Sequence, residues 1–240
     1  MRRLRKRPEI DLQTQLRLVE ATDQISRHRS PKEEADRLYR LARQAVWFEV
    51  IIRKLRQMSG GGVRCMYCSG SEASNVEHFR PKAIFPERAM DWNNFLWICG
   101  ICNQKKGDHF PPDTGEGAMI INPIESNPWD YFFIDEFGNL TEIWRSDLND
   151  VDPRAKSTMV HLGLDREALQ LVRQERLEDL RRQISDLTEL FTAGTASKNE
   201  LRNRIRGWKR QSYQPDVADY FLNGPGRTEE PFASLIRLVR

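Results

Sequence analysis

No apolar run in the 240 residues approaches the roughly 18 that a membrane-spanning helix needs; the best candidate, Ala45 to Ile52, is interrupted by Glu49. A transmembrane segment is therefore excluded. The basic start (Arg2, Arg3, Arg5, Lys6, Arg7) is followed by neither an apolar stretch nor a small-residue cleavage site, so no secretory signal is expected and the expected compartment is the cytoplasm. Cysteines stay reduced there, and the chain has only four. Net charge is scarce as well: 38 Lys and Arg against 35 Asp and Glu leave +3, so any polyanion-binding surface must come from local clustering. There is no internal repeat, no low-complexity tract and no G-x-x-x-x-G-K-S/T phosphate loop, so any ATP dependence must reside in another chain. Aromatics are plentiful. Six Trp, eleven Phe and five Tyr are too many for a disordered chain, even at 39% hydrophobic residues and a mean hydropathy of −0.67.

The patterning predicts an α+β, mostly helical protein. Leu12, Leu16, Val19 and Ile25 fit one helix face, and Ser30-Pro31-Lys32-Glu33 restarts a helix with an N-cap, a first-turn Pro and a capping-box Glu. That second helix is expected to run through Leu38, Leu41, Val50 and Leu55 and to stop at Ser59-Gly60-Gly61-Gly62. From Val63 to Pro112 no long periodic segment can be drawn, yet this stretch holds every cysteine and two of the four histidines. Beyond it, Ile120-Ile121-Asn122-Pro123 and the run Tyr131 to Ile143, with Gly138-Asn139 at its middle, read as short strands and a hairpin. Asp152-Pro153 starts a helix that Gly163 stops, and Asp165 is the next expected N-cap. A long amphipathic helix to Gly194, a shorter one over Lys198 to Arg210 and a last one over Pro231 to Val239 follow. Three regions result: residues 1–62, a basic arm and helices; 63–122, the cysteine segment; and 123–240, a hairpin and helices.

Cys65-Met66-Tyr67-Cys68 and Cys99-Gly100-Ile101-Cys102 form two C-x-x-C pairs. Four thiolates in such pairs suit one tetrahedral zinc with no open position, a staple without chemistry. A redox C-x-x-C comes singly beside a βαβ pattern that is absent here.

Between and just after the pairs stand Glu77-His78-Phe79-Arg80-Pro81-Lys82, Trp92-Asn93-Asn94-Phe95-Leu96-Trp97 and Asn103-Gln104-Lys105-Lys106-Gly107-Asp108-His109. In these residues the chain resembles the HNH endonucleases. The wider set, with Cys-x-Tyr-Cys, Lys-x-x-x-Phe-Pro and Ile-Asn-Pro, resembles the zinc-stapled branch that includes the nuclease subunit of Septu anti-phage systems and some retron-associated nucleases. That resemblance implies a ββα-metal site in which His78 is the general base, Glu77 and Asn103 hold Mg2+ or Mn2+, and Asn94 bonds the backbone near His78. His78 suits its role because a neutral imidazole accepts a proton near pH 7, and Glu77 and Asn103 offer the oxygen ligands that magnesium prefers. Asp108 and His109 are candidate extra ligands. Arg80 and Lys106, then Lys82 and Lys105, are candidate phosphate contacts, and the basic arm is a further one. Phe79, Trp92, Phe95 and Trp97 read as core rather than as base-stacking platforms, and His28 and His161 as structural. The resemblance further implies a nucleic-acid substrate, DNA ahead of RNA, and an ATPase partner of the ABC or SMC-like type. The competing readings are a nuclease that cleaves RNA, transfer RNA in particular, and a non-catalytic zinc module that binds nucleic acid or assists assembly.

Overall fold

In the computed structural model, residues 1–4, 6–60, 63–70, 72–111, 119–208 and 215–239 are described. Arg5, Gly61 and Gly62, most of the Pro111 to Gly117 stretch, and Lys209 and Arg210 lie outside them. The protein is a mostly helical α+β chain in two compact units, Leu4–Ser126 and Asn127–Arg240 together with Met1–Arg3. Among the described residues no helix is long and apolar enough to cross a membrane.

The first unit begins with α1 (Leu12–Arg27), α2 (Pro31–Gln44) and α3 (Phe48–Met58). Asp11 caps α1 by accepting the Thr14 N–H at 2.9 Å. The buried face of α1 is Thr14, Leu18, Ala21 and Ile25; of the predicted row Ile25 lies on it, whereas Leu12, Leu16 and Val19 are more than half exposed. Helix α1 packs against α2 and the turn at Pro86–Arg88. Ser30 makes no side-chain cap bond, and the expected capping box is not formed.

The predicted continuous helix over residues 31–58 is broken at Ala45–Trp47. Tyr39 and Phe48 are nine residues apart, and at about 100° per residue an unbroken helix would place them on opposite faces. The break brings both rings to Phe95: Tyr39–Phe48, Tyr39–Phe95 and Phe48–Phe95 centroids lie 6.0, 6.2 and 5.7 Å apart.

Next come β1 (Ala73–His78), β2 (Phe95–Cys99) and α4 (Gly100–Lys106). The strands pair antiparallel, with Glu77 opposite Leu96 and His78 opposite Phe95. Every residue of β2 is buried, because α3 and α4 both pack against it. Ile120 and Ile121 are buried but form no strand, contrary to the prediction.

The second unit carries the predicted hairpin as β3 (Phe132–Ile134) and β4 (Leu140–Glu142), and adds a two-residue ladder, β5 (Trp144–Arg145) and β6 (Asp150–Val151). Helices α5 (Pro153–Leu162), α6 (Glu167–Thr192), α7 (Lys198–Trp208), α8 (Pro215–Asn223) and α9 (Phe232–Val239) follow. Asp152 caps α5 and Gly163 ends it, as read from sequence. Helix α6 starts one residue later than Asp165 would set it, with Arg166 at its N-cap. Helix α8 went unpredicted; its Asp216 is fully buried and accepts from the equally buried Arg173 of α6 at 3.2 Å.

Gly138, in the β3–β4 turn at φ +83°, faces the α6 backbone so closely that a Cβ would lie 2.6 Å from both Gln170 O and Gln174 N. Gly138→Ala is expected to destabilise the second unit by about 2–4 kcal/mol, combining a left-handed conformation with a backbone clash. Urea unfolding followed through tryptophan fluorescence measures it, and an unchanged midpoint would refute the close approach.

Candidate metal centre and active site

Cys65 and Cys68 lie on the loop before β1, Cys99 ends β2 and Cys102 lies in the first turn of α4. The loop folds back as the Cys65 N–H donates to Gly70 O and the Ser69 N–H to Cys65 O, both at 2.9 Å, with Ser69 at φ 61°. The Gly70 N–H donates to Cys68 Sγ at 3.4 Å and the Cys102 N–H to Cys99 Sγ at 3.5 Å, contacts that favour thiolates. The Met66 N–H bonds Trp97 O at 2.9 Å and ties the loop to β2. All four sulfurs are buried within 4.8 Å of one another, and Cys68 and Cys99 are 3.8 Å apart. A tetrahedral zinc with bonds of about 2.3 Å spaces its sulfurs by about 3.8 Å. Burial pushes the Cys65 thiol up, so four packed thiolates need a cation, and the cluster is consistent with a structural zinc.

Glu77 and His78 end β1, where successive side chains face opposite ways. His78 is 5% exposed. Its Nε2 lies 2.9 Å from Ala89 O, and a carbonyl only accepts, so Nε2 carries the proton and Nδ1 keeps a lone pair. Tyr39 packs edge-on against the imidazole at 4.5 Å and Phe95 at 5.3 Å, while the Tyr39 hydroxyl donates to Val76 O at 3.1 Å. Burial pulls the His78 pKa down to about 4, with Lys82 pushing the same way and Asp36 opposing. Lys82 is ion-paired to Asp36 of α2.

Glu77 faces α4. Lys106 donates to Glu77 Oε1 at 2.6 Å and to His78 O at 3.0 Å. Burial raises the Glu77 carboxyl and Lys106 opposes it. Lys106, predicted as a phosphate contact, is corrected here: its side chain is 0% exposed and its charge is committed to Glu77. Asn103 sits three residues earlier on α4, on the same helix face, and is half-exposed. It is placed directly after the sulfur ligand Cys102.

Asn94 is a backbone clamp: its Oδ1 accepts the Arg80 N–H at 2.7 Å, and its Nδ2 donates to Arg80 O and Arg88 O, both at 2.9 Å. Arg80 is half-exposed, with its guanidinium 5.4 and 5.5 Å from the Phe85 and Phe110 rings. Lys105, Asp108 and His109 are exposed, and Asp108 is near enough to raise the Glu77 carboxyl. Phe79, Phe95 and Trp97 are buried. Trp92 is half-buried, and Arg7 lies 5.1 Å over its ring. Arg7, taken from sequence as part of a nucleic-acid arm, turns inward to donate to Asn93 O and Phe95 O at 2.8 and 2.7 Å. Sequence reading missed Tyr39: it lies off the apolar row of its helix, and no local pattern ties it to a histidine 39 positions on.

Residues 65–109 match the family model described as HNH endonuclease. The chain is 28% identical over 171 residues to a Septu protein PtuB of Bacillus thuringiensis, covering 67% of this chain and 61% of that protein. To a Septu protein PtuB of Bacillus mycoides it is 29% identical over 120 residues, covering 38% of this chain and 40% of the other. The chain thus spans less than two thirds of either relative.

Two measurements bear on the site. Elemental analysis is expected to find about one zinc per chain; a folded protein that carries none would overturn the staple. Because His78 is held below its ordinary value of 6.5, the unfolded chain binds more protons between pH 6.5 and about 4, and stability falls as pH falls through that window. The loss attributable to His78 is on the order of 3 kcal/mol. Denaturation of wild type and His78→Gln at pH 7 and pH 4.5 tests it: the variant should lose less over that interval, and parallel losses would count against a buried neutral imidazole.

Proposed function

We propose, for a chain whose cysteine-stapled segment is of the HNH endonuclease family, that the protein is a metal-dependent endonuclease hydrolysing phosphodiester bonds in DNA. In this reading it is the effector nuclease of an anti-phage defence system, working with an ATPase partner. The observation that carries the chemistry is His78: its Nε2–H is fixed on Ala89 O, so Nδ1 is an oriented acceptor, and the residue before it on the strand, Glu77, is a buried carboxylate. The likeness to the two Septu proteins supports the defence assignment and the partner.

Nδ1 of His78 accepts the proton of the attacking water. The ring is wholly neutral at pH 7, and an anionic phosphate beside it raises its basicity by stabilising the imidazolium. Tyr39 and Phe95 fix the plane of the ring. Asn94 holds the chain at Arg80 and Arg88, on either side of the His78-to-Ala89 contact, so removing it releases the base without touching it. Glu77 and Asn103 offer a carboxylate and an amide oxygen, a donor set for a hard cation, and would hold Mg2+ or Mn2+. When bound, that ion supplies positive charge to the phosphate and to the departing oxygen. Arg80, half-exposed beside the clamp, meets a flanking phosphate.

His78→Ala is expected to lower cleavage of duplex DNA in Mg2+ or Mn2+ by about 10²–10⁴-fold, with zinc content unchanged. Assays on DNA and on transfer RNA decide the substrate. Cleavage unaffected by the substitution would remove His78 from the mechanism, and no cleavage by wild type, alone or with its ATPase, would favour a binding module.

A further inference from the structure

We propose that Lys106 is the resident counter-ion of Glu77, which keeps divalent-metal binding weak until a phosphodiester arrives, so that metal and nucleic acid bind cooperatively. This rests on the nuclease reading above. Lys106 has a side-chain exposure of 0% and Glu77 of 12%, and the 2.6 Å contact between them is joined by a second bond to His78 O. A lysine is almost never buried to this degree unless paired, and removing one partner of such a pair leaves an uncompensated charge. The nearby cations do not duplicate it: Lys82 is held by Asp36, and Arg80 lies against Phe85 and Phe110.

The charges of the proposed metal set follow directly. Glu77 contributes −1, Lys106 +1 and Asn103 nothing, so the buried part of the site is neutral before any ion enters. The exposed Asp108 adds negative charge nearby. A divalent cation beside Glu77 would stand close to the ammonium in a poorly screened setting, where like charges repel strongly. Lys106 engages one carboxylate oxygen, Oε1, and opposes the ion electrostatically. A phosphodiester bound to the ion brings the missing negative charge and offsets the repulsion from the buried ammonium. Coupling of this kind is reciprocal: metal must strengthen DNA binding by the same factor that DNA strengthens metal binding. Lys106 is thus a positioning residue that sets the order of assembly.

The test is Mn2+ titration by electron paramagnetic resonance in a His78→Ala background, which prevents cleavage, with and without a DNA duplex and after subtracting the ion bound by DNA alone. We expect DNA to tighten Mn2+ binding at least tenfold. Lys106→Met is expected to bind Mn2+ at least tenfold more tightly than its parent without DNA and to gain less from DNA. Damage to a purely structural residue would move affinity the other way. Equal or weaker Mn2+ binding by zinc-loaded Lys106→Met overturns the inference and leaves the nuclease reading standing. If that variant does not fold, equal Mn2+ affinity of the parent with and without DNA overturns it instead. Glu77→Gln separates the two levels: if it binds Mn2+ as tightly as the parent, the ion is not at Glu77 and both fall.

Discussion

Two C-x-x-C pairs with thirty residues between them meet at four sulfur atoms, and most of what positions the active site follows from that meeting. Cys99 and Cys102 fix the passage from β2 into α4, which puts Asn103 on the first turns of the helix and Lys106 at its last residue, against Glu77. Cys65 and Cys68 fix the loop that leads into β1 and so the register that sets His78 opposite Phe95. A two-stranded ladder with a seven-residue helix has too little apolar surface to hold this arrangement alone. The sulfur cluster, consistent with a structural zinc, supplies the missing constraint.

Around this staple the polar groups are arranged by mutual satisfaction. Asn94 meets three backbone groups, Ala89 O takes the His78 proton, and Lys106 neutralises Glu77. Each contact removes a freedom that catalysis would otherwise have to remove during the reaction. The Glu77–Lys106 ion pair is the one contact among these between two full charges.

The staple and the short motif residues were legible because their information is local: cysteine pairs at fixed spacing, Glu77 beside His78, Asn94 before β2, Asn103 after Cys102. The hairpin at Gly138 and the ends of α5 were legible for the same reason. Where the outcome depended on tertiary packing, local pattern failed. The α1 face of Leu12, Leu16 and Val19 looks like a core stripe and faces outward, while Thr14, Leu18, Ala21 and Ile25 are buried. Nothing near Ala45 announces a break that exists to bring Tyr39 and Phe48 to one ring. Lys106 reads as a surface charge until its carboxylate partner, 29 positions earlier, is placed beside it.

The contact between Tyr39 and His78 sets a limit on modularity. Residues 65–109 contain His78, the Asn94 clamp and the cysteine cluster, but the aromatic wall comes from α2 and the cover over β2 from α3. Cut out at the motif boundaries, the segment would keep its sulfurs and lose the Tyr39 ring that packs against the imidazole. The smallest piece that keeps the surroundings of His78 is therefore not the recognisable motif but the motif with its preceding helices, and a transplant of fewer residues would carry the signature without the environment.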